Sequence, residues 1–249
     1  MTPERRSTPR DVPAVGHHEL SLPEALRNAD ASLTAPVEDY LKAIYDIQQG
    51  GAAATTNVLA ERLSLAPASV SGMIRRLAVQ GLLEHEPYRG ARLTEAGRSA
   101  ALRTLRRHRI LESYLATVLG VPWDDVHAEA EQLEHAASEM LIDRMAQALG
   151  DPLFDPHGAP IPTRDGIIDE TRHATLADWP LGTRGTVMSV SDKDPVMLRY
   201  LGELELRPGA MVQVHARAPY DGPIDVMVGH ELRQIGPTAA RAVRIAAIA

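Results

Sequence analysis

Between Val126 and Met140 the chain reads VHAEAEQLEHAASEM, which places His127, Glu131, Glu134 and His135 at i, i+4, i+7 and i+8. At 3.6 residues per turn these offsets share one helical face, within an arc of about 100°. Two imidazoles and two carboxylates on one stripe are a metal-ligand set without sulfur. A single surface acid is ordinarily just solvated. Four ligand types in register, with a second pair upstream, point instead to a bound cation. The second pair is His108 and Glu112 in RRHRILESYL, also four apart and so on one face of the preceding helix. Gly120 and Pro122 in the connection LGVPWDD end that helix and restart the chain. Packed side by side, the two helices bring six ligand-type side chains into one or two sites. Imidazole plus carboxylate without thiol suits a divalent first-row ion of harder character, Mn(II) or Fe(II). A structural zinc site more usually takes Cys, and the chain has none.

The elements that must position these residues follow from composition and periodicity. The 249 residues leave room for two or three small domains. Aromatics make up only 4%, so the cores are built from Ala, Leu, Val and Ile. Absence of Cys excludes disulfides, iron–sulfur clusters and thiol catalysis. No apolar run approaches 18 residues and no signal-peptide pattern is present, so the expectation is a soluble cytoplasmic protein with no membrane partner. The net charge of -7 is unevenly spread. Residues 34–109 carry 11 basic against 7 acidic side chains, and residues 110–170 carry 2 against 13. A basic module followed by a strongly acidic one implies a phosphate-facing part joined to a cation-facing part.

Residues 1–33 are rich in Pro, Arg, Ser and Asp and read as a mostly disordered arm, with a possible helical turn at Pro23–Asn28. A winged helix-turn-helix is expected over residues 34–106. Val37, Leu41, Ile44 and Tyr45 keep helical spacing up to Gly50-Gly51. Thr55-Thr56 cap a second helix to Leu63, and Pro67 opens a third that stops at Gly81. LLEHEPYRGARLT supplies a hairpin wing, and Thr94 caps a long helix toward Ile110. Residues 107–150 form the metal-binding and dimerisation part. Residues 151–171, dense in Pro and Gly, read as a linker in which His157 is a turn residue. Over residues 172–249, the runs GTVMSV, MVQVHA, IDVMV, HELRQIG and RAVRIAAI predict a small antiparallel barrel or sandwich of about five strands. The fold class is therefore mainly α with a small β domain.

In a helix-turn-helix, the N-terminal part of the second helix meets base edges. Here that part offers Ala68, Ser69, Ser71 and Gly72, whose small side chains imply readout by apolar contact and shape. Arg75, Arg76, Arg89 and Arg92 are the expected phosphate contacts.

EDYLKAIYDI, SVSGMIRRLAVQGLL, RLTEAG, RHRILE, VHAEAEQLEH and DPHGAPIP, in this order, resemble the diphtheria-toxin-repressor family of metal-dependent transcriptional regulators. The resemblance runs from about residue 34 to the C-terminus. It implies a homodimer on a palindromic DNA operator, two metals per subunit, and a C-terminal barrel similar to the FeoA and SH3-like folds. It implies one metal site from Asp39, Glu131, Glu134 and His135, and another from His108, Glu112 and His127. It also implies a ligand from the barrel, with Asp192 or Asp194 as candidates. Manganese-responsive members hold carboxylates at the positions of Asp39 and Glu131, which favours Mn(II) over Fe(II). Lys42 departs from the pattern, standing where manganese-type members can carry a Glu ligand, and so speaks against a close binuclear site. Two other readings compete with metal-dependent regulation: a metal-independent winged-helix regulator, and a di-metal carboxylate enzyme. The enzyme wants paired Glu-x-x-His motifs that this chain does not supply.

Overall fold

The computed structural model describes residues 33–86 and 90–248. The N-terminal arm, its expected turn at Pro23–Asn28 and Arg89 lie outside the described residues. Pro36 stands in the first turn of α1 (Ala35–Gln49), where its missing N–H costs nothing. Val37, Tyr40, Leu41, Ile44 and Tyr45 form its buried face, and Gly51 ends the turn beyond it at φ +78°. Thr55 caps α2 (Thr56–Leu63) by accepting from the Val58 N–H. Ser64, at φ 54°, makes the left-handed turn into α3 (Pro67–Val79). Val70, Ile74 and Leu77 anchor α3 in the core and leave its other face to solvent. Strands β1 (Leu83–Glu86) and β2 (Gly90–Leu93) pair antiparallel as the wing. The Ala91 N–H donates to Ala54 O at 2.9 Å and ties the wing to the segment before α2.

Thr94 caps α4 (Glu95–Thr117), which runs 23 residues and crosses position 106 without a break. The same helix therefore carries the wing at one end and His108 and Glu112 further on. The continuous helix expected over Val126–Met140 is instead two helices, α5 (Val126–Leu133) and α6 (Glu139–Ala148). Ala136 and Ala137 both donate to Leu133 O, which tightens the last turn of α5. Ser138 adopts extended backbone and caps α6 through Leu141 N. The break has a packing cause: it lets Ala130 of α5 and Ile142 and Ala146 of α6 pack in one cluster with Ile110, Leu111 and Leu115 of α4.

The C-terminal part holds β3 (Ala174–Thr175), β4 (Arg184–Val190), β5 (Met211–Arg217), β6 (Ile224–Val228), β7 (Glu231–Ile235) and β8 (Val243–Ala247), with helices α7 (Pro195–Glu203) and α8 (Pro237–Arg241). The strands form one antiparallel sheet in the order β3-β8-β4-β5-β6-β7. Register shifts after Val187 and Val214 curve it around a core that includes Leu176, Val187, Leu198, Val214 and Val226. All five expected strands are present, and β3 adds a short sixth. The sheet domain is latched to the helices. Arg199 of α7 reaches Asp124 with two nitrogens, at 2.9 and 3.0 Å, and the Arg207 guanidinium lies 4.3 Å from the centre of the Trp123 ring. No described helix is long and apolar enough to cross a membrane.

The connecting stretch has neither helix nor strand, as expected, but it is strapped down. The Glu170 carboxylate accepts from the Tyr45 hydroxyl at 2.9 Å, Gln49 at 2.7 Å and Arg98 at 3.0 Å. Residues of α1 and α4 are thereby fixed to the chain that leads into the sheet.

Candidate metal centre

Helices α1, α4 and α5 converge on a set of buried ligand-type side chains. Glu112 and Glu134 have no exposed surface, and His108 is 3% exposed. Charged groups are not left in such places without partners. The first grouping joins Asp39 of α1 to Glu134 and His135, just past the end of α5. His135 Nε2 lies 2.9 Å from Asp39 Oδ1 and 3.4 Å from Glu134 Oε1. The other nitrogen, Nδ1, lies 2.6 Å from Glu38 Oε2. A carboxylate on one ring nitrogen sets the tautomer and leaves the other as a lone pair facing the site.

The second grouping is His108 and Glu112 of α4, His127 of α5 and Asp192 of the sheet domain. Glu112 Oε1 lies 2.9 Å from His108 Nε2 and 3.1 Å from His127 Nδ1, and His127 Nδ1 is 3.6 Å from Asp192 Oδ2. Of the two sheet-domain candidates, Asp192 meets the cluster. Asp194 is engaged elsewhere, capping α7 through Val196 N and Met197 N.

A third grouping, wholly buried, shares Glu112 and adds Asp155 and His157 from DPHGAPIP. His157 Nε2 faces Trp123 O at 2.7 Å, so Nδ1 is the nitrogen turned inward, 3.9 Å from Glu112 Oε1. The Asp155 Oδ1 atom accepts from the N–H groups of His157 and Ala159. Sequence reasoning missed both residues because Pro and Gly marked the stretch as linker. The available signal was the Asp-x-His spacing in a segment too short to be a helix. His157 is a turn residue in backbone, as expected, but its side chain is completely buried.

Glu131 departs from the expected set. It groups with His108 and Glu134 rather than with Asp39, and its Oε1 meets Lys42 Nζ at 2.7 Å. The Glu134 carboxylate is shared three ways: Oε1 toward Lys42 and His135, Oε2 toward His108 Nδ1 at 2.6 Å.

The electrostatics match a site made for positive charge. Burial opposes the charged form of His108, but hydrogen bonds with Glu112 and Glu134 outweigh it and raise its pKa to about 10. Burial likewise opposes ionisation of Glu112 and Glu134. Hydrogen bonds from His108, with His127 for Glu112 and the Lys42 charge for Glu134, hold both carboxyls below the usual range. Burial and the Glu112 charge push Asp155 up to about 7. The residues fit a metal by a further criterion. Asp39 Oδ1, Glu112 Oε2, Asp155 Oδ2 and His157 Nδ1 are buried atoms with no hydrogen-bond partner among the described residues, although Arg109 Nε stands 3.5 Å from Asp155 Oδ2. All can offer a lone pair, and all line the groupings above.

Of the expected DNA-facing residues, Ala68, Ser69, Gly72, Arg75 and Arg76 are exposed along α3, Ser71 is half-buried among them, and Arg92 is exposed on β2. Among the described residues, nothing beyond the helix's own backbone and the chain neighbours lies within 4 Å of the position a Gly72 Cβ would take, so the backbone of α3 is open to close approach there.

A winged helix joined through one long helix to buried His/carboxylate clusters defines a DNA-binding regulator built around a metal centre. Residues 32–91 match the model of the iron dependent repressor N-terminal DNA binding domain. Residues 94–163 match that of the iron dependent repressor metal binding and dimerisation domain, and residues 174–247 the FeoA domain. The chain is 32% identical over 228 residues to the iron-dependent repressor IdeR of Mycobacterium tuberculosis, covering 86% of this chain and 97% of that one. It is 27% identical to the diphtheria toxin repressor of Corynebacterium jeikeium, over 80% of this chain and 87% of the relative. Among solved structures, a manganese-dependent transcriptional repressor in complex with manganese superposes with a TM-score of 0.81 at 39% identity, covering 85% of this chain and all of the other. ScaR with bound Zn2+ superposes at 0.75 with 26% identity, over 85% and 99% of the two chains. The chain belongs to the diphtheria-toxin-repressor family of iron-dependent repressors. It is a metal-dependent DNA-binding transcriptional regulator with a dimerisation domain, not an enzyme.

Proposed function

We propose that this protein represses metal-homeostasis genes as a homodimer on a palindromic operator, with Mn(II) as its activating ion and Fe(II) as a second candidate. The observation that carries the reading is the meeting of Asp39 with Glu134 and His135. Asp39 belongs to the first helix of the DNA-binding part, and the other two belong to the dimerisation helices. A divalent ion supplies a cross-link among such ligands. Asp39 then holds α1 against α5, and the long α4 transmits that position to the wing. The two α3 helices of a dimer are thereby set for half-sites about one helical turn, ~34 Å, apart. Ala68, Ser69, Ser71 and Gly72 face bases, while Arg75, Arg76, Arg89 and Arg92 face phosphates. Support for Mn(II) comes from the donor set: the candidate ligands are carboxylates and imidazoles, and the chain has no Cys to offer a thiolate. The proposed ligands are Asp39, Glu134 and His135 in one site. His108, Glu112, His127 and Asp192 form the other, with Asp155 and His157 beside Glu112 and Glu131 at the edge. A regulator of this kind works where the chromosome is, in the cytoplasm.

The test is binding to the protein's own promoter DNA, first in chelator and then with Mn(II) or Fe(II) without oxygen. Binding should require metal, and one ion should act at lower free concentration. Asp39→Ala should keep the circular dichroism of the wild type yet need at least about tenfold more free metal for half-maximal operator binding. Normal operator binding by this variant at limiting metal would sink the proposed link.

A second expectation concerns protons. His108 holds its proton at neutral pH, being raised to about 10, whereas a ligating imidazole is neutral. Metal binding should therefore release protons, and affinity should rise with pH through the neutral range. Calorimetry in buffers of different ionisation enthalpy reads the number released. Zero protons released at pH 7 would show that metal does not displace a proton from His108 there.

A further inference from the structure

Lys42 lies inside the ligand set. Its Nζ is 2.7 Å from Glu131 Oε1 and 2.6 Å from Glu134 Oε1, and its side chain is 13% exposed. Glu131, Glu134 and His108 meet the geometric condition for holding a cation, with ligand atoms within 4.8 Å of one another. An ammonium already sits against two of these three groups. The position therefore does not fit an additional metal ion: the oxygens that would bind it are engaged by a charge on a covalent tether. The tether also has a direction. Lys42 is on α1, Glu131 is on α5, and Glu134 is the residue that ends α5. The ammonium thus joins the same two elements that Asp39 joins to Glu134 and His135.

We infer that Lys42 is a built-in cation that replaces one metal ion and ties the DNA-binding part to the dimerisation helices without any metal. The inference rests on the proposed metal-gated reading and deepens it. Of the ties between α1 and the end of α5, those from Lys42 to Glu131 and Glu134 and from Glu38 to His135 Nδ1 need no metal, and the one through Asp39 waits for it. The metal-free protein is therefore partly pre-positioned for DNA. Activation starts from a raised floor, and the centre at this end of α5 takes fewer ions than its carboxylates alone would allow. Glu134 links the tie from Lys42 to the one through Asp39, because the oxygen that accepts from Lys42 also lies 3.4 Å from His135 Nε2.

The experiment uses the full chain with three substitutions. Lys42→Met removes the charge and keeps the bulk, Lys42→Arg keeps the charge, and Lys42→Glu replaces the cation by a ligand. Bound Mn(II) per chain is read by elemental analysis after equilibrium dialysis, and operator affinity is read by fluorescence anisotropy in chelator and at saturating Mn(II). Lys42→Glu should bind one more Mn(II) per chain than wild type, and Lys42→Arg the same number. In chelator, Lys42→Met should bind operator about tenfold more weakly than wild type, while the two converge at saturating Mn(II). Unchanged affinity of Lys42→Met in chelator overturns the permanent tie, and unchanged stoichiometry in a folded Lys42→Glu overturns the replacement of an ion. Should Lys42→Glu not fold, Lys42→Met carries both arms, because loss of the ammonium alone should raise Mn(II) uptake by Glu131, Glu134 and His108. A wild type whose operator binding ignores metal would instead overturn the metal-gated reading itself. A metal-responsive wild type with indifferent Lys42 variants would overturn only this inference.

Discussion

Glu112→Gln should lower metal affinity at its cluster by at least about 100-fold, and the free metal needed for operator binding should rise with it. Loss of groups that merely support a ligand already costs about 10–100-fold, and Glu112 is placed as a ligand itself. It is the shared member of two groupings, one with His108, His127 and Asp192, the other with Asp155 and His157. The substitution keeps the shape and removes the charge. One carboxamide oxygen can still meet His108 Nε2 or His127 Nδ1, now 2.9 and 3.1 Å from Glu112 Oε1. The charge that attracts a cation into this buried place is gone. Metal affinity and DNA affinity are linked, so the loss must appear in both. Competition against a fluorescent chelator reads the first, and anisotropy at fixed buffered metal reads the second. A variant within a factor of three of wild type in both would show that Glu112 shapes the core and does not hold metal. The metal-free variant should stay folded but melt lower, because removing one member of a buried charged pair leaves the other uncompensated.

The chemistry of the centre was legible because it sits on helices. His108 and Glu112 are four apart on α4, and His127 and Glu131 four apart on α5, so periodicity alone placed the members of each pair on one helical face, though His127 and Glu131 then enter different groupings. Three features were not legible, each for its own reason. The break after Leu133 answers to tertiary packing: Ile142 and Ala146 must fold back onto α4, and only Ser138, as a cap, hinted at it. Asp155 and His157 reach the centre from a loop, where no period relates side-chain direction to sequence distance. The placement of Glu131 beside Lys42 depends on how α1 meets α5, a contact between residues 89 apart in the chain. The strands were read well because alternation is local, whereas β3 is two residues long and too short to alternate. Asp192 and Asp194 illustrate the same limit at close range. Two residues apart, one faces the centre and the other caps a helix, and the sequence held both open.

Gly158→Ala should lower stability by about 3 kcal/mol, the sum of roughly 1–2 kcal/mol for a left-handed backbone and roughly 1–3 kcal/mol for overpacking. At a few degrees per kcal/mol this is a fall in Tm of about 10 °C. Gly158 holds φ +83°, and a Cβ there would lie 2.0 Å from Met188 O and 2.9 Å from Ser189 Cα. Both are backbone atoms of β4: Met188 stands at the register shift against β8, and Val187 and Ser189 on either side of it are paired with Ile245 and Arg244, so this stretch cannot retreat without disturbing the β4–β8 ladder. The turn must move instead. Its departure would cost the bond from Val190 N to His157 O, now 2.9 Å, and would draw His157 and Asp155 away from Glu112. One substitution at a residue that offers no ligand should therefore weaken metal binding at the Glu112 cluster and leave the grouping of Asp39, Glu134 and His135 intact. Gly150→Ala is the control. It has the same kind of backbone, at φ +77°, but among the described residues no atom beyond its chain neighbours lies within 4 Å of the added carbon, so it should lose only the conformational part, about 1 kcal/mol. Calorimetric melting of both variants, with metal titrations on each, separates the contributions. Equal losses in the two proteins would mean that the turn does not depend on its seat against β4. A larger loss in Gly158→Ala, together with weaker metal binding, would identify the linker as the part that carries the sheet domain's position to the metal centre.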